Sequence, residues 1–230
     1  MNVCIIGGSG AVGGALASRL SADGHTVTAT HHRRSPRDIA GVSWRALDAT
    51  SDEAMARFFG ETGPLDWIIN TVGILHTDGM MPEKTVRRFS PESLTTAITI
   101  NTLPTLLIGK HARAVLSQSE APILASLSAR VGSISDNGLG GWYSYRCSKA
   151  ALNMAIRTLS IEWRHALPKA SVAALHPGTV ESELSMPFVG KNHAPVTPET
   201  AADRLLPVIA GLTPENSGQL WDWNGTVINW

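Results

Sequence analysis

Cysteine is scarce in this chain of 230 residues, with Cys4 and Cys147 its only two. Two thiols, one in an apolar strand and one in a helix, exclude a disulfide framework and suit a reduced, cytosolic protein. Both are expected to be packed and inert. Charge of one sign is also missing: 19 basic and 19 acidic residues give a net charge of zero, which argues against a nucleic-acid surface or an acidic membrane as partner. No apolar run approaches the ~20 residues of a membrane span. The first such run stops at Gly7 and has no charged segment before it, so no signal peptide is expected. Repeats, low-complexity tracts and linkers are absent, and residues 1–230 are expected to form one domain. The adjacent His31 and His32 have no third ligand nearby, so no metal is expected.

What the chain does have is alternation. Apolar, branched runs predict strands over 2–6, 26–30, 43–47, 66–70, 122–127, 171–176 and 218–221. Helical spacing predicts helices over 11–22, 52–59, 91–99, 104–117, 145–166 and 198–210, with Pro91 and Pro104 placed to open two of them. Strands alternating with helices predict an α/β fold: a doubly wound parallel sheet of about seven strands with helices on both faces.

Three features place chemistry on that frame. The first strand runs into Gly7-Gly-Ser-Gly-Ala-Val-Gly13 and then a helix, the context of a dinucleotide-binding Rossmann fingerprint. Gly7 allows the tight turn, Gly10 the approach of a pyrophosphate and Gly13 close packing of helix on sheet. The second strand is followed by His31-His-Arg-Arg34, with no carboxylate before Asp38. An acidic residue there would favour NAD; arginine accommodates a 2′-phosphate, so Arg33 or Arg34 points to NADP(H) over NAD(H). Finally, Tyr145 and Lys149 stand four apart on one helical face. An ammonium beside a phenol favours the phenolate and brings it toward a usable range for acid–base work on a carbonyl or alcohol. The fourth and fifth strands end at Asn70 and Ser128, which in a parallel sheet open on the same crevice as Gly7.

With these residues the chain resembles the short-chain dehydrogenase/reductase family over nearly its whole length. The matching pieces are Gly7-x-x-Gly10-x-x-Gly13, Asp48, Asn70-Thr-Val-Gly73, Asn101, Ser128, Tyr145-x-x-x-Lys149 and Pro177-Gly-Thr-Val180. The stretch from Ser128 to Asp136, with Gly140-Gly-Trp-Tyr-Ser-Tyr-Arg146, is similar to the carbonyl-reductase-like branch that includes the bacterial C-factor. The resemblance implies that Tyr145 is the general acid–base and that Lys149 holds the nicotinamide ribose and lowers the Tyr145 pKa. It implies that Ser128 polarises the carbonyl and that Asn101 positions a water linking Lys149 to solvent. Asp48 would meet the adenine edge, and the Pro177–Val180 turn would cover the nicotinamide with Ser182 near its carboxamide. In all, the resemblance gives the cofactor Gly7, Ser9, Gly10, Ala11, Val12, Gly13, His31, Arg33, Arg34, Asp48, Asn70, Val72, Gly73, Pro177, Gly178, Val180 and Ser182, besides Tyr145 and Lys149.

Some positions depart from the family pattern. Ala11 stands where its common glycine spacing has a glycine, Thr71-Val72 replaces Asn-Ala, and Ser182 replaces a more frequent threonine. Ser128 lies further from Tyr145 than usual, which makes Ser133 a rival for its role. Residues 179–197, with Met186, Pro187 and Phe188, are expected to form a substrate lid. Its apolar centre, with Trp142 beside Tyr145, suits a small or moderately hydrophobic carbonyl. Arg130 and Arg146 are expected in surface ion pairs, the alternative being contact with an acidic group of the substrate, and the tryptophan-rich tail from Trp221 to Trp230 is expected beside the pocket or at a subunit interface.

The function expected is an NADP(H)-dependent carbonyl reductase or alcohol dehydrogenase. It is expected to be cytoplasmic and to pair as a homodimer or homotetramer through helices 104–117 and 145–166. The alternative is an NADP(H)-binding signalling or sensor protein with little turnover. A sugar-nucleotide epimerase shares the glycine spacing but needs a longer chain.

Overall fold

A computed structural model describes residues 1–36, 38–190 and 194–230. One sheet runs through the molecule in the order β3-β2-β1-β4-β5-β6-β7-β8. Its strands are β1 Asn2–Ile6, β2 Thr26–His31, β3 Val42–Ala46, β4 Trp67–Asn70, β5 Ile123–Leu127, β6 Ser171–His176, β7 Gln219–Asp222 and β8 Val227–Ile228. All neighbours pair in parallel except β7 and β8. The helices are α1 Ala11–Ala22, α2 Asp52–Gly60, α3 Pro91–Asn101, α4 Leu103–His111, α5 Arg113–Leu116, α6 Tyr143–Ala166 and α7 Pro198–Ala210.

Alternation along each strand divides the core between two faces. Cys4 and Ile6 of β1, with Ile68, Leu124 and Val172, meet Met55 and Phe58 of α2, Ile108 of α4 and Leu152, Ile156 and Trp163 of α6. Val3 and Ile5, with Ile69, Ala125 and Ala173, meet Leu16 and Leu20 of α1 and Leu205 and Ile209 of α7. Helices therefore cover both faces, as the strand–helix alternation predicts. Removing a fully buried side chain such as Leu152 would cost about 2–5 kcal/mol. Among the described residues no helix is long and apolar enough to cross a membrane.

The structure adds an eighth strand to the seven expected. The tail turns at Asn224-Gly225, where Asn224 Oδ1 accepts from the Thr226 amide at 3.0 Å and Gly225 takes φ +79°. Val227 and Ile228 then return antiparallel along β7, whose end extends to Asp222. The helix expected over 104–117 is two helices, because Ala112 relaxes to ψ −5° between α4 and α5. Thr102 separates α3 from α4 where Pro104 opens the new helix. Cys147 corrects an expectation. It is exposed, since the face of α6 that carries Tyr145 and Lys149 inward turns position 147 outward. Cys4 is buried, and burial pushes its thiol up to about 12.

Candidate active site

The carboxyl ends of β1, β4, β5 and β6 open on a cleft of about 1040 Å³. At its β1 end Gly7 takes φ +86°, and a Cβ there would stand 2.9 Å from Val72 Cγ2. A Cβ on Gly13 would reach 2.6 Å from both the Gly7 carbonyl and Thr71 Oγ1, so α1 crosses the sheet at a distance only glycine permits. Gly10 is the N-cap of α1 in an extended conformation, with no side chain capping the helix. The first amides of this twelve-residue helix are therefore left for a ligand, and Ser9, Gly10, Ala11, Val12 and Gly13 line the cleft beside them. This cradle fits the pyrophosphate of a dinucleotide.

Val72, Gly73, Pro177, Gly178, Val180, Ser182 and Arg34 also line the cleft; Asn70 and Asn101 are buried beside it, whereas Gly7, His31, Asp48 and the exposed Arg33 are not among the residues that line it. Asn70 shapes the turn after β4: its Nδ2 donates to Thr105 Oγ1 at 2.9 Å and its Oδ1 accepts from the Val72 amide at 3.1 Å. Asp48 accepts from the hydroxyl and amide of Thr50, which hold its carboxyl below the usual range, with His32 and Arg33 adding smaller attractions. The His31 ring meets Trp44 edge-on at 6.5 Å. Of the two arginines only Arg34 reaches the cleft, and there it pairs with Glu183 of the expected lid.

Helix α6 presents Tyr145 and Lys149 to the cleft on successive turns. Its start is held from outside the helix. The buried Glu83 carboxylate accepts from the Ser144 hydroxyl and from the Ser144 amide at 3.1 Å, and the Glu83 carbonyl accepts from the Trp142 amide at 2.5 Å. That grip holds Trp142 at φ +52°, the one non-glycine residue with positive φ among those described. Such a conformation costs about 1–3 kcal/mol in a bulky residue. Arg146 braces the same turn by donating to the carbonyls of Gly140, Gly141 and Val131 at 3.0–3.3 Å. The ion pair expected of Arg146 is thus replaced by backbone contacts, whereas Arg130 does pair, with Asp222 and Asp136.

Lys149 is 3 % exposed, and its Nζ donates to the Leu127 carbonyl at 2.9 Å. Burial with no carboxylate beside it pulls the ammonium down to about 8. The same ammonium lies 5.9 Å from the Tyr145 ring centroid, over the ring. Burial pushes the Tyr145 phenol well above its ordinary value. Desolvation is the dominant influence on the phenol, and one of the three ammonium protons is directed at the Leu127 carbonyl, which leaves two for other partners.

Ser128 follows β5, is buried, and donates to Asn153 Oδ1 at 2.6 Å. Its rival Ser133 is directed elsewhere, donating to the Asn229 carbonyl and accepting from the Asp136 amide, and does not line the cleft. The Asn101 side chain clamps Ile74, accepting from its amide at 2.7 Å and donating to its carbonyl at 3.0 Å. Its Nδ2 also donates to Ser148 Oγ at 2.9 Å, tying α3 to α6.

The outer part of the cleft is aromatic. Trp142 meets Tyr145 at 6.2 Å and Phe188 at 5.4 Å, and Phe188 meets His76 at 5.4 Å. Trp223 from the tail closes the far side, with the Arg204 guanidinium 4.2 Å above its ring, so the tail packs beside the pocket. His176 lines the cleft at the end of β6, and burial holds its imidazole down near 4. Of the expected lid, residues 191–193 lie outside the described residues. The remainder carries a short helical turn, Met186–Phe188, and a bridge between Val180 and Val196. Glu83, His76, Asn153 and Glu183 are site residues that the sequence reading missed. Asn153 alone had a signal, standing four beyond Lys149 on the same helical face.

Comparison with known proteins bears on the family and the fold. The family model for short chain dehydrogenase matches residues 1–192. The 1-hydroxy-2-glutathionyl-2-methyl-3-butene dehydrogenase of Rhodococcus sp. (strain AD45) is 38% identical over 192 residues, covering 80% of this chain and 78% of that protein. C-signal of Myxococcus xanthus is 35% identical over 170 residues, covering 74% of this chain and 95% of its own. Among solved structures, the NADPH-bound carbonyl reductase from chicken fatty liver superposes with a TM-score of 0.86 at 24% identity, covering 100% of this chain and 94% of that one, a likeness of fold. With the family match over most of its length, the chain belongs to the short-chain dehydrogenases and so to the nicotinamide-dependent oxidoreductases.

Proposed function

We propose that this chain is an NADP(H)-dependent carbonyl reductase or alcohol dehydrogenase working through Ser128, Tyr145 and Lys149. The observation that carries the reading is the meeting of these three side chains in one cleft with the uncapped start of α1. When bound, the nicotinamide supplies the hydride for reduction or accepts it in oxidation.

Tyr145 gives the proton from its Oη to the substrate oxygen. A phenol raised by burial stays protonated at physiological pH, and an alkoxide is a far stronger base than a phenolate, so reduction does not need a lowered Tyr145 pKa. Ser128, which lines the same cleft at the end of β5, orients the same oxygen once its hydroxyl is turned to it. Lys149, with a pKa near 8, keeps positive charge next to Tyr145 at neutral pH and can hydrogen-bond a ribose hydroxyl. Asn101 holds the Ile74 backbone in place, and the water contact implied by the resemblance would use its remaining backbone groups. The aromatic wall of Trp142 and Phe188 excludes water and suits a moderately apolar carbonyl.

Arg34, on the cleft where an NAD site would carry an acidic residue, favours NADP(H). Leu106 on α4 and Met154 and Ile161 on α6 are exposed apolar side chains, which support pairing of two copies across these helices in the cytoplasm. The likeness to C-signal lends a signalling or sensor role some weight. A buried lysine beside a tyrosine is the costlier arrangement for a protein that only binds, and favours turnover.

The test is NADPH oxidation by the purified protein against aldehydes, ketones and quinones. Turnover on at least one class is the expected result. Tight NADPH binding without turnover on any would favour the sensor.

A further inference from the structure

Ser128 has one hydroxyl proton, and it is directed at Asn153 Oδ1, 2.6 Å away. A hydroxyl committed in that way has only lone pairs left, and so has a carbonyl oxygen. In this arrangement the two cannot hydrogen-bond.

The second observation is on the same side chain. Asn153 is 4 % exposed, and its Nδ2 has no hydrogen-bond partner among the described residues. An amide presents a donor and an acceptor of nearly the same shape, so a half-turn exchanges them. Nδ2 then donates to Ser128 Oγ, and the Ser128 proton is free to point into the cleft. The group left over after the turn is a carbonyl oxygen, which tolerates an unmet bond better than an N–H does. Asn153 stands one turn beyond Lys149 and two beyond Tyr145 on α6, so the helix that carries the proton donor also carries this amide.

The geometry points to Asn153 as the positioning residue that sets the direction of the Ser128 hydroxyl. With a carbonyl bound, Asn153 Nδ2 donates to Ser128 Oγ and Ser128 donates to the carbonyl oxygen. Each bond in such a chain strengthens the next. This rests on the proposed function, because it requires Ser128 to act on the substrate oxygen.

The test compares Asn153→Asp, Asn153→Leu, Ser128→Ala and the doubles, using 4-nitrobenzaldehyde and NADPH. Aspartate can only accept, so it holds the Ser128 proton away from the substrate. Its kcat should fall by roughly a hundredfold, as for a lost oxyanion donor. Leucine leaves Ser128 free to turn and should lose less, although aspartate is the closer in shape. The KM for NADPH should not move. In the Ser128→Ala background neither substitution should lower kcat further, since Asn153 acts through Ser128.

Losses that persist undiminished in that background would overturn the proposal, placing the effect in Lys149 or in the fold. Wild-type kcat in Asn153→Asp would also overturn it. If Ser128→Ala itself turns over normally, the proposed role of Ser128 has failed as well, a separate and visible outcome. Should Asn153→Asp not fold, the leucine cycle decides by the same criterion. Should the wild type not reduce the aldehyde, the function has failed on that probe. The pairing is then read from thermal unfolding of Ser128→Ala, Asn153→Leu and their double, where fully additive melting losses overturn it.

Discussion

Replacing Lys149 by methionine should stabilise the fold while abolishing turnover. The lysine is 3 % exposed and has a backbone carbonyl as its partner, with burial pulling its pKa from 10.5 to about 8. That displacement corresponds to about 3 kcal/mol of destabilisation at neutral pH. The sign follows from proton binding. Between about 8 and 10.5 the unfolded chain holds the proton and the folded chain releases it. Wild-type stability, relative to the methionine variant, should therefore be lowest below pH 8 and should rise as pH climbs toward 10.5. Methionine fills similar space and needs no charge, and loss of the bond to Leu127 offsets about 1 kcal/mol of the gain. A net gain of about 2 kcal/mol at pH 7 should raise the melting temperature by about 4–8 °C in a domain of this size. Urea unfolding of both proteins from pH 7 to 10 reads the difference directly. A methionine variant less stable at pH 7, with a difference that does not narrow at higher pH, would refute the account of Lys149 as a buried, uncompensated cation kept for function.

Glu83→Ala should cost about 2 kcal/mol, because it removes the carboxylate that accepts from the Ser144 amide and hydroxyl at the start of α6. Glu83→Gln should lose less, since it keeps an acceptor for Ser144; equal melting temperatures for Glu83→Ala and wild type would show that the cap does not hold the helix. Arg34→Ala should narrow the preference for NADPH over NADH by roughly tenfold or more, as loss of a charge-assisted contact does. Arg33→Ala should do less because Arg33 is exposed and does not line the cleft. A ratio of kcat/KM for the two cofactors that stays fixed in the double variant would move the 2′-phosphate site elsewhere.

Much of this was legible from the sequence, because the signals were local. Gly7 and Gly13 sit where a Cβ would collide with Val72, Thr71 or the Gly7 carbonyl, and their spacing after an apolar strand marked that turn. The spacing of Tyr145 and Lys149 fixed their shared face of α6, and Ser128 fell at a strand end. The misses were long-range. Glu83 caps a helix sixty-one positions away, a contact that no window of sequence displays. The burial that pushes the Tyr145 phenol up is likewise something that spacing does not report. Arginine at 146 suggests a charged partner on chemical grounds, but the turn at Gly140 and Gly141 offers it carbonyls. The β8 hairpin is the exception, since Asn224-Gly225 is a local turn signal between two short apolar runs.

The most direct test of the central claim is the single-turnover rate of NADPH oxidation in Tyr145→Phe, with NADPH binding measured on the same sample. Phenylalanine keeps the ring beside Trp142 and removes only the proton donor, so binding and melting should stay near wild type. The rate should fall by roughly two or more orders of magnitude. A variant that binds NADPH and reduces the substrate at the wild-type rate would contradict Tyr145 as the proton donor and with it the proposed mechanism.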